Sequence, residues 1–395
     1  MGAERARLVL ALNAGSSSLK FGLYEIGREV SAVARGGIKR TAGGAALEAS
    51  GADGETFDHL LAPRALEDDA LLERLLVWLA ETFGRGEPTA IGHRIVHGGT
   101  QFAGPVLLTP DAIEAADALT PLAPLHQPAA LSLIRAIARI RPQLPQVGCF
   151  DTAFHHGLAP PVSRYALPRA YEDKGIRRYG FHGLSYEYIA GELSESGEKR
   201  VVVAHLGSGA SLCAMRNGRS QDTTMGFSAL DGLVMSTRPG QIDAGVLLYL
   251  LRQEKLSPDE LEHLLYHESG LRGVSGISGD VRELLASEAP AAAEAIDLFV
   301  FRIARETAAM ANTLEGLDTL VFSGGIGEHS GPIRARVAER LAWLGVSLDM
   351  AANAGNRRRI SAPSSRVEVL VIPTNEEIVI ARQMAAVLEA SHLHP

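Results

Sequence analysis

A pattern of apolar strand, small-residue turn and second strand occurs twice in this chain, at Leu8 and again 193 residues later at Val201. The first copy reads LVLALNAGSSSLKFG and the second VVVAHLGSGASLCAM, an alignment that places Ser18 on Ser211. Two unrelated hairpins would also give this pattern, because Gly/Ser turns between strands are common. The other interpretation is a duplicated domain, in which each copy presents to one ligand a turn whose backbone N–H groups can approach phosphates closely.

Around both copies, strand-like runs alternate with helical patterns, which is typical of an α/β protein. The Gly/Ala-rich segment Thr41–Gly54 is predicted to be a loop. The predicted strands are Leu8–Leu12, Leu19–Tyr24, Ile91–Val96, Val147–Phe150, Val201–His205, Ala210–Arg216, Thr319–Ser323 and Val367–Ile372. The predicted helices are Asp69–Thr82, Pro128–Ile140, Ser185–Leu193, Asp243–Arg252, Ser257–His267, Pro290–Leu314, Pro332–Leu344 and Asn375–Leu388.

Length and charge limit the functions open to the chain. Its 395 residues suffice for two or three domains. With 38 basic and 46 acidic residues the net charge is −8, which argues against nucleic-acid or membrane-surface partners. The N-terminal apolar run is too short for a signal peptide, and no run is long enough to span a membrane. Cys149 and Cys213 exclude a disulfide framework and are predicted to be buried thiols of a cytoplasmic protein.

The turn of the first copy carries groups that suit a polyphosphate and its metal. From Asn13 to Lys20, the sequence NAGSSSLK offers one amide, three hydroxyls and one cation within eight residues. It is not a Walker A loop, since G-x-x-x-x-G-K-[ST] does not occur in the chain, and taken alone it is also consistent with a polar turn. The sequence HLGSG, from His205 to Gly209, is the matching turn of the second copy.

A third glycine-rich turn, SGGIGEH from Ser323 to His329, follows a predicted strand and opens a helix. Backbone N–H groups at a helix start bind anions. The segment also suggests a dinucleotide-binding βαβ unit of a dehydrogenase, with Asp349 as the ribose-binding acid about 20 residues further on. However, its glycines are one residue out of the G-x-G-x-x-G spacing, and a dehydrogenase would leave the segment Asn13–Lys20 idle. Both interpretations stay open at this point.

Five ionisable residues stand where an anion or a metal could reach them. Arg94 and Arg238 lie beside glycines at the ends of apolar stretches. Asp151 follows a predicted strand, the place where α/β folds put their chemistry. His182, in RRYGFHG, is either structural or a donor to a charged transition state. Glu376 opens a predicted helix, where it favours the helix dipole and could also reach a metal.

His263 and His267 stand four residues apart on a predicted helix, a spacing that metal ligands use. The sequence HLLYH lacks the glutamate of H-E-x-x-H, and neither cysteine is near. We therefore expect two histidines on a solvated helix surface.

Ten sequence blocks in this order make the chain resemble the acetokinase family. The blocks are NAGSSSLKFGLYE, GHRIVHGG, APLHQP, FDTAFH, RRYGFHGLSYEYIA, HLGSGAS, MGFSALDGLVMSTRPGQID, ISGDVR, SGGIGEHS and IPTNEEIVIA, and they run from about Leu8 to Arg382. The resemblance implies an α/β fold of two duplicated ribonuclease-H-like (actin-like ATPase) domains with the active-site cleft between them. Domain 1 would be residues 1–151, completed by a C-terminal helix over 378–395, and domain 2 would be residues 152–377 with the nucleotide-binding loops.

The resemblance also implies an activity. Family enzymes transfer the γ-phosphoryl group of ATP reversibly to acetate, with Mg²⁺ or Mn²⁺, giving acetyl phosphate and ADP, and they are usually homodimers. Propionate is an alternative substrate, because Ala229 stands where members often carry the larger proline. A non-catalytic nucleotide-binding module of the same fold is a further alternative, which the presence of Arg94, Asp151, His182 and Arg238 argues against.

Carried over by position, the resemblance assigns roles to individual residues. The catalytic residues are Asp151, His182 and Arg238. The substrate-binding residues are Arg94 and His126, with Val96, Leu125, Phe181 and Ala229 around the methyl group. The metal-proximal residues are Asn13 and Glu376. The ATP-binding residues are Ser16, Ser18, Lys20, His205, Leu206, Gly207, Ser208, Gly209, Asp280, Val281, Arg282, Gly325, Ile326, Gly327, Glu328 and His329.

The chain departs from the family pattern at positions around these residues. None of the departures removes an implied catalytic residue, but they bear on phosphate and adenosine contacts and on nucleotide preference. They are Gln127, Ser208 and His329 where asparagine is usual, Leu184 where threonine is usual, Tyr186 where histidine is usual and Gln241 where aspartate is usual.

Overall fold

The computed structural model describes residues 7–15, 18–41, 44–62, 66–194 and 199–392. Residues up to Phe154 and from Asn375 onwards form one compact unit, unit 1, and His155–Thr374 form a second, unit 2. The domain boundaries predicted from the sequence, at 151/152 and 377/378, each lie three residues from the boundaries of these units.

Strands and helices are numbered in chain order. The strands are β1 (Arg7–Ala14), β2 (Ser18–Ile26), β3 (Val30–Thr41), β4 (Gly44–Gly51), β5 (Thr56–Ala62), β6 (Ala90–Ile95), β7 (Val106–Leu107), β8 (Gln146–Phe150), β9 (Arg200–Leu206), β10 (Ala210–Arg216), β11 (Arg219–Thr223), β12 (Thr319–Ser323) and β13 (Glu368–Val371). The helices are α1 (Asp68–Phe83), α2 (Pro110–Asp117), α3 (Gln127–Ile140), α4 (Arg169–Glu172), α5 (Gly183–Glu192), α6 (Ala244–Arg252), α7 (Pro258–His263), α8 (Gly270–Ser275), α9 (Val281–Ala286), α10 (Pro290–Thr313), α11 (Gly324–His329), α12 (Gly331–Arg340), α13 (Met350–Ala354) and α14 (Glu376–His392).

Each predicted strand and helix corresponds to one of these elements, but two predicted helices change geometry part-way. The predicted helix Ser257–His267 is α7 followed by a π-helical turn at Leu264–Glu268. The predicted helix Pro332–Leu344 is α12 followed by a 3₁₀ turn at Ala342–Leu344. Further 3₁₀ turns lie at Thr120–Leu122 and Ala153–His155.

Unit 1 is built on one mixed sheet in the order β5-β4-β3-β2-β1-β6-β8-β7. The strands β1 to β5 pair antiparallel with one another, whereas β6 and β8 run parallel to β1. Leu8, Leu10 and Leu12 of β1 pack with α1 and α3 in one apolar core. On the other face, α14 approaches β6 so closely that a Cβ on Gly92 would lie 2.5 Å from Ile380 Cγ2. The central strands are therefore buried on both faces.

Unit 2 has a five-stranded sheet in the order β11-β10-β9-β12-β13. The strands β9, β10 and β11 pair antiparallel, and β12 and β13 run parallel to β9. The same order and directions recur in unit 1 as β3-β2-β1-β6-β8. The duplicated α/β fold that the two hairpin sequences predict is therefore confirmed.

The two hairpins are equivalent in topology but not in register. Leu12 pairs with Phe21, whereas His205, which lies 193 residues after Leu12, pairs with Ser211. A uniform offset would instead pair His205 with residue 214, so the turn of the second hairpin is three residues shorter. The one-to-one alignment of Ser18 with Ser211 therefore does not hold along both strands at once.

The predicted loop Thr41–Gly54 is wrong. Gly44–Gly51 forms β4, which pairs antiparallel with β3 and β5, while residues 42–43 lie outside the described part of the chain. Glycine and alanine have low strand propensity. Here the hydrogen bonds to two neighbouring strands and the burial of Ala45 and Leu47 in the core override that propensity.

Two smaller predictions also meet the structure. None of the helices in the described part of the chain combines the length and the apolar character that a membrane-spanning helix needs. Cys149 and Cys213 are buried free thiols, as predicted. Burial raises the pKa of the Cys213 thiol to about 12, so this cysteine is protonated and unreactive at neutral pH.

Candidate active site

Arg94, Asp151 and Asn13 meet because they sit at the carboxyl ends of three adjacent parallel strands, β6, β8 and β1. The Arg94 guanidinium donates from Nε at 2.9 Å and from Nη2 at 2.5 Å to Asp151 Oδ2. Its Nη1 donates to Asn13 Oδ1 at 3.0 Å. The Asp151 side chain is 1 % exposed and that of Arg94 is 19 % exposed. The Arg94 guanidinium is thus fixed by Asp151 and Asn13 and remains partly exposed.

The first turn of α14 brings two carboxylates to the same place. Asn13 Nδ2 donates to Glu376 Oε2 at 2.8 Å and to Glu377 Oε1 at 3.3 Å. Glu376 Oε2 also lies 3.6 Å from Arg94 Nη1. Asn375 caps the helix by accepting a first-turn backbone N–H at 3.1 Å. Acidic residues are favoured at a helix N-terminus, so the sequence of α14 stabilises its own start while presenting these carboxylates.

The charge state of Arg94 is secured by these neighbours. Burial alone would lower its pKa, but the carboxylates of Asp151, Glu376 and Glu377 outweigh burial and raise the pKa above its ordinary value. Bonds to described residues use three of the five guanidinium N–H donors. Two donors on a permanently charged group are therefore available to an anion.

The donor set around Asn13 fits Mg²⁺ in one specific way. Glu376 and Glu377 supply hard carboxylate oxygens, and Mg²⁺ is usually bound by one or two carboxylates together with substrate phosphates and water. Within the described residues, no group of three or more His, Cys, Asp or Glu side chains is arranged to hold a metal by itself. The site therefore suits a metal that arrives with a phosphate ligand rather than one held in a complete protein cage.

Gln127, one of the departures from the family pattern, holds the loop that follows β6. Its Oε1 accepts from His97 N at 3.1 Å, and its Nε2 donates to His97 O at 3.1 Å and to Ala116 O at 3.0 Å. Thr152 Oγ1 accepts from Gly98 N at 2.9 Å. Gln127 is fully buried, so this loop is fixed by bonds in which the side chain acts as both donor and acceptor.

In unit 2, His182 stands at the start of α5 with a φ of 58°, a conformation that residues other than glycine rarely adopt. Its Nδ1 lies 2.8 Å from Ser211 Oγ on β10. Its ring stacks on His205 of β9, with centroids 4.4 Å apart. His205 Nδ1 in turn lies 2.8 Å from Ser185 Oγ. These contacts leave His182 one orientation, with Nε2 directed away from β10.

Arg238 is the second arginine of interest and differs from Arg94 in having no acidic partner in the described part of the chain. Its Nη1 donates to Ala229 O at 3.0 Å, and among the described residues no carboxylate lies within 4 Å of the guanidinium. Burial lowers its pKa. A Cβ on Gly209 would lie 3.2 Å from His182 Nε2 and 3.7 Å from Arg238 Nη2. The histidine and the arginine therefore both approach the Cβ position of Gly209, the last glycine of the HLGSG turn.

The backbone around Arg238 is fixed by the segment that follows the π-helical turn. Leu271 N donates to Met235 O at 2.9 Å, and Met235 N donates to Arg238 O at 3.0 Å. Gly270 has a φ of 64°, and a Cβ there would lie 2.2 Å from Met235 O. Only glycine permits this approach, so the position of Arg238 depends on Gly270.

A cavity of about 950 Å³ lies in unit 2, large enough for a nucleotide or another small ligand. Eight of the sixteen residues assigned to ATP binding line it. They are Gly207, Ser208, Asp280, Val281, Arg282, Gly325, Ile326 and His329. The other lining residues are Ser236, Gly279, Leu285, Ala286, Ser330 and Pro332.

The resemblance assigns Glu328 to ATP binding, and in the structure its carboxylate accepts hydrogen bonds from two backbone N–H groups. Its Oε1 accepts from Gly324 N at 2.9 Å and from Thr374 N at 3.2 Å. Leu206 and Gly327 are buried and do not line the cavity. His205 and Gly209 belong to the His182 contacts described above. These four residues and Glu328 are therefore not part of the cavity lining, and they support the segments that form it.

Sequence reasoning missed Arg334, which is fully buried. Its guanidinium donates to Gly327 O at 2.8 Å and Glu328 O at 3.0 Å, and also to Asn353 and Asn356. All of these acceptors are neutral, and burial lowers its pKa. Arg334 ties down the end of α11, the helix that carries Gly325 and Ile326. An arginine following the glycine turn by a few residues was the only signal in the sequence.

The remaining assigned residues are less closely associated. Ser16 lies outside the described residues. Lys20 lies directly opposite Asn13 in the β1–β2 ladder and is exposed. Ser18 lines a smaller cavity of unit 1, of about 350 Å³. Of the assigned methyl-pocket and carboxylate residues, Val96 and Phe181 are buried, Ala229 and His126 are half-buried, and Leu125 is exposed.

The features that suggested a dehydrogenase have other roles in the structure. Asp349, which would bind a ribose, instead caps α13 by accepting from Ala351 N at 2.9 Å and Ala352 N at 3.0 Å. The glycine turn leads into α11, which is only six residues long. His263 and His267 are exposed, as predicted, with ring centroids 5.0 Å apart.

The repetition of one sheet topology in two α/β units places the chain in the actin-like ATPase fold class. Comparison with known proteins narrows the class further. The model of the acetokinase family matches residues 8–382. The chain belongs to the acetokinase family, as its ten sequence blocks predict.

Individual relatives agree with this membership. The acetate kinase of Rhodopseudomonas palustris is 52 % identical over 387 residues, which cover 95 % of this chain and 97 % of the relative. The crystal structure of Porphyromonas gingivalis acetate kinase matches with a TM-score of 0.85 at 36 % identity, covering 97 % of this chain and 100 % of that one. A propionate kinase from Francisella tularensis matches with a TM-score of 0.88 at 36 % identity, covering 95 % and 98 % of the two chains.

Proposed function

We propose that this chain catalyses the reversible, direct in-line transfer of the γ-phosphoryl group of ATP to acetate, giving acetyl phosphate and ADP. The observation that carries the proposal is the approach of both His182 Nε2 and Arg238 Nη2 to the Cβ position of Gly209. A half-buried arginine with no carboxylate within 4 Å among the described residues attracts an anion. A phosphoryl group in transfer is such an anion, and its charge is best stabilised by fixed donors. Membership of the acetokinase family supports the assignment.

Arg94 would bind the acetate carboxylate. Two of its donors are available beyond the bonds to Asp151 and Asn13, and a guanidinium pairs with a carboxylate in a bidentate fashion. Acetate is already ionised at neutral pH, so the reaction needs no strong base. Asp151, at 1 % exposure, would then orient Arg94 rather than take a proton.

The cavity of unit 2 would hold the nucleotide. Gly207 and Ser208, at the turn beside His182 and Arg238, would contact the phosphates through backbone N–H groups. The segments Asp280–Arg282 and Gly325–His329 line the rest of the cavity, apart from Gly327 and Glu328, and would contact the adenosine. This division follows from the lining residues and from the family roles carried over by position.

Mg²⁺ would be held by Glu376, with Asn13 and Glu377 beside it, and by the phosphates that come with ATP. When bound, the metal supplies positive charge that neutralises the phosphates during transfer. The donor chemistry of these residues supports this role, and Mn²⁺, which also prefers oxygen ligands, would replace it.

Propionate would be a second acceptor. Ala229 is smaller than the proline that family members often carry there, and the matching Francisella tularensis structure is a propionate kinase. One methylene changes binding by only about 1–3 kcal/mol. The chain would therefore use both acids, with acetate preferred.

We also propose that the protein is a cytoplasmic homodimer. The helix α6 has the sequence AGVLLYLLR and no buried residue, with Leu248 at 50 % and Tyr249 at 56 % exposure. An exposed apolar face of this kind marks a protein interface, and a second copy is the partner that the family implies. Two free buried cysteines suit a reducing compartment.

The substitution Arg94→Ala tests the carboxylate assignment. It should reduce acetyl phosphate formation by about 10³-fold or more, because the acceptor loses its charged partner, while ATP–Mg²⁺ affinity measured by calorimetry changes little. Arg139→Ala is the matched control, since Arg139 is an exposed arginine paired with Asp69. Near-normal turnover by Arg94→Ala would overturn the assignment. Binding of ATP without acyl phosphate formation in the unaltered protein would favour the non-catalytic module instead.

A further inference from the structure

Behind His182 lies a chain of hydrogen bonds that the family roles do not explain. Tyr186 Oη lies 2.5 Å from Ser211 Oγ, and Ser211 Oγ lies 2.8 Å from His182 Nδ1. Tyr186 and Ser211 are both fully buried. The tyrosine is contributed by α5 one turn after His182, and the serine by β10. A helix and a strand thus place two hydroxyls in line behind the imidazole.

Acidity gives this chain a direction. A phenol is a stronger acid than an aliphatic alcohol, so Tyr186 is the better donor and Ser211 the better acceptor in the short contact between them. Ser211 has a single hydroxyl proton. With Tyr186 donating to its oxygen, that proton is directed to His182 Nδ1, which then accepts. A neutral imidazole that accepts at Nδ1 carries its proton on Nε2.

We propose that Tyr186 is a positioning residue which, through Ser211, fixes the tautomer of His182 with its proton on Nε2. That nitrogen is the one that approaches the Cβ position of Gly209, as Arg238 Nη2 also does. In this tautomer His182 donates a hydrogen bond to the phosphoryl group, whereas the other tautomer would present a lone pair to an anion. The inference rests on the proposed function, since it deepens the role of His182 in the same site.

This arrangement depends on one of the positions at which the chain departs from the family pattern. Tyr186 stands where the family pattern usually has histidine, and the substitution brings a hydroxyl that reaches Ser211. Two neighbours complete the packing: His155 meets the Tyr186 ring edge-on at 5.5 Å and His205 at 6.5 Å. His155 has a pKa lowered to about 4, mainly by burial and in spite of its bond to Phe181 O, so it packs against Tyr186 as a neutral ring.

A double-mutant cycle tests the relay. Tyr186→Phe should lower kcat about five- to tenfold, the value of one hydrogen bond, and leave the KM for ATP within twofold. Ser211→Ala alone should lower kcat more than Tyr186→Phe does, by up to about a hundredfold. Because Tyr186 acts through Ser211, Tyr186→Phe should have almost no effect when added to Ser211→Ala. Thermal unfolding of each variant, with Tyr188→Phe as the matched control on α5, separates these effects from loss of folding.

A measurement without turnover decides the tautomer directly. In ¹⁵N-histidine-labelled protein, the His182 signals are assigned by their loss in His182→Gln. The relay predicts an unprotonated Nδ1 and a protonated Nε2, and a mixture of tautomers in Ser211→Ala. Protonated Nδ1 in the unaltered protein, or independent and additive effects of the two substitutions on kcat, would overturn the proposal. If the unaltered protein forms no acyl phosphate, the proposed function fails, and the spectra still decide the relay.

Discussion

At the scale of single residues, the two arginines are prepared for different ligands by their surroundings. Arg94 keeps its charge because three carboxylates outweigh its burial, and Asp151 fixes its direction. Arg238 is half-buried beside a carbonyl and a histidine, without an acid within 4 Å in the described part of the chain. The first arrangement suits an anion that must be oriented, and the second suits an anion whose charge must be neutralised.

Gln127 allows a quantitative prediction at this scale. Gln127→Ala removes three hydrogen bonds to the backbone of His97 and Ala116 and empties part of a fully buried position. It should lower the free energy of unfolding by about 2–4 kcal/mol. Because the loop follows Arg94 and Val96, it should also raise the KM for acetate while leaving the KM for ATP unchanged. Denaturant unfolding and steady-state kinetics check both parts, with Gln253→Ala, an exposed glutamine, as the control. An unchanged KM for acetate would contradict the link between this loop and the substrate site.

At the scale of elements, the proposed nucleotide site depends on the short helix α11. Glu328 bonds to the helix start and to Thr374, and Arg334 holds the carbonyls at its end. A six-residue helix has little intrinsic stability, so these tertiary bonds determine where Gly325 and Ile326 lie.

A side chain at Gly325 tests whether the cavity is the nucleotide site. A Cβ there meets no atom within 4 Å, and the residue lines the cavity. Gly325→Val should therefore fold normally but fill space that ATP needs, raising the KM for ATP by at least about tenfold. Its KM for acetate should stay the same. Gly157→Val, also in open space but at a different cavity, is the control. Equal KM values for ATP in both variants would place the nucleotide elsewhere.

Elements show where sequence reasoning succeeds and where it fails. The strands β1, β2, β9 and β10 were predicted because their apolar runs are strong local signals. β4 was missed because its glycines and alanines carry no such signal, and its stability comes from two neighbouring strands. The register difference between the hairpins was also invisible, since both turns are rich in glycine and serine.

The residues of the candidate site also divide into those that the local sequence identifies and those that it does not. Arg94, Asp151, His182 and Arg238 stand beside glycines or strand ends, so their roles could be proposed from position. Gln127 acts through bonds to the backbone of His97, 30 residues earlier, and Arg334 joins the end of α11 to the backbone of Asn353, 19 residues later. Such bonds depend on how separate segments pack, so the local sequence does not predict them.

At the scale of the whole molecule, α6 presents an apolar face that the rest of the described chain leaves exposed. Tyr249→Glu places a charge on this face, so it should convert a homodimer into a monomer in light scattering after size exclusion. Met350→Glu, at an exposed apolar residue outside α6, should leave the dimer intact. A dimer that persists in Tyr249→Glu would locate the interface on another surface, and a monomer in the unaltered protein would contradict the proposed assembly.

The central claim, that the chain phosphorylates a short carboxylic acid, is tested most directly by acyl phosphate formation from ATP–Mg²⁺, trapped as the hydroxamate. Acetate, propionate and butyrate are compared by kcat/KM. We expect turnover with acetate highest, propionate within about 10–200-fold, as expected for one methylene, and butyrate lower still. A preference for propionate would change the substrate and implicate Ala229. No acyl phosphate from any of the three acids would contradict the claim.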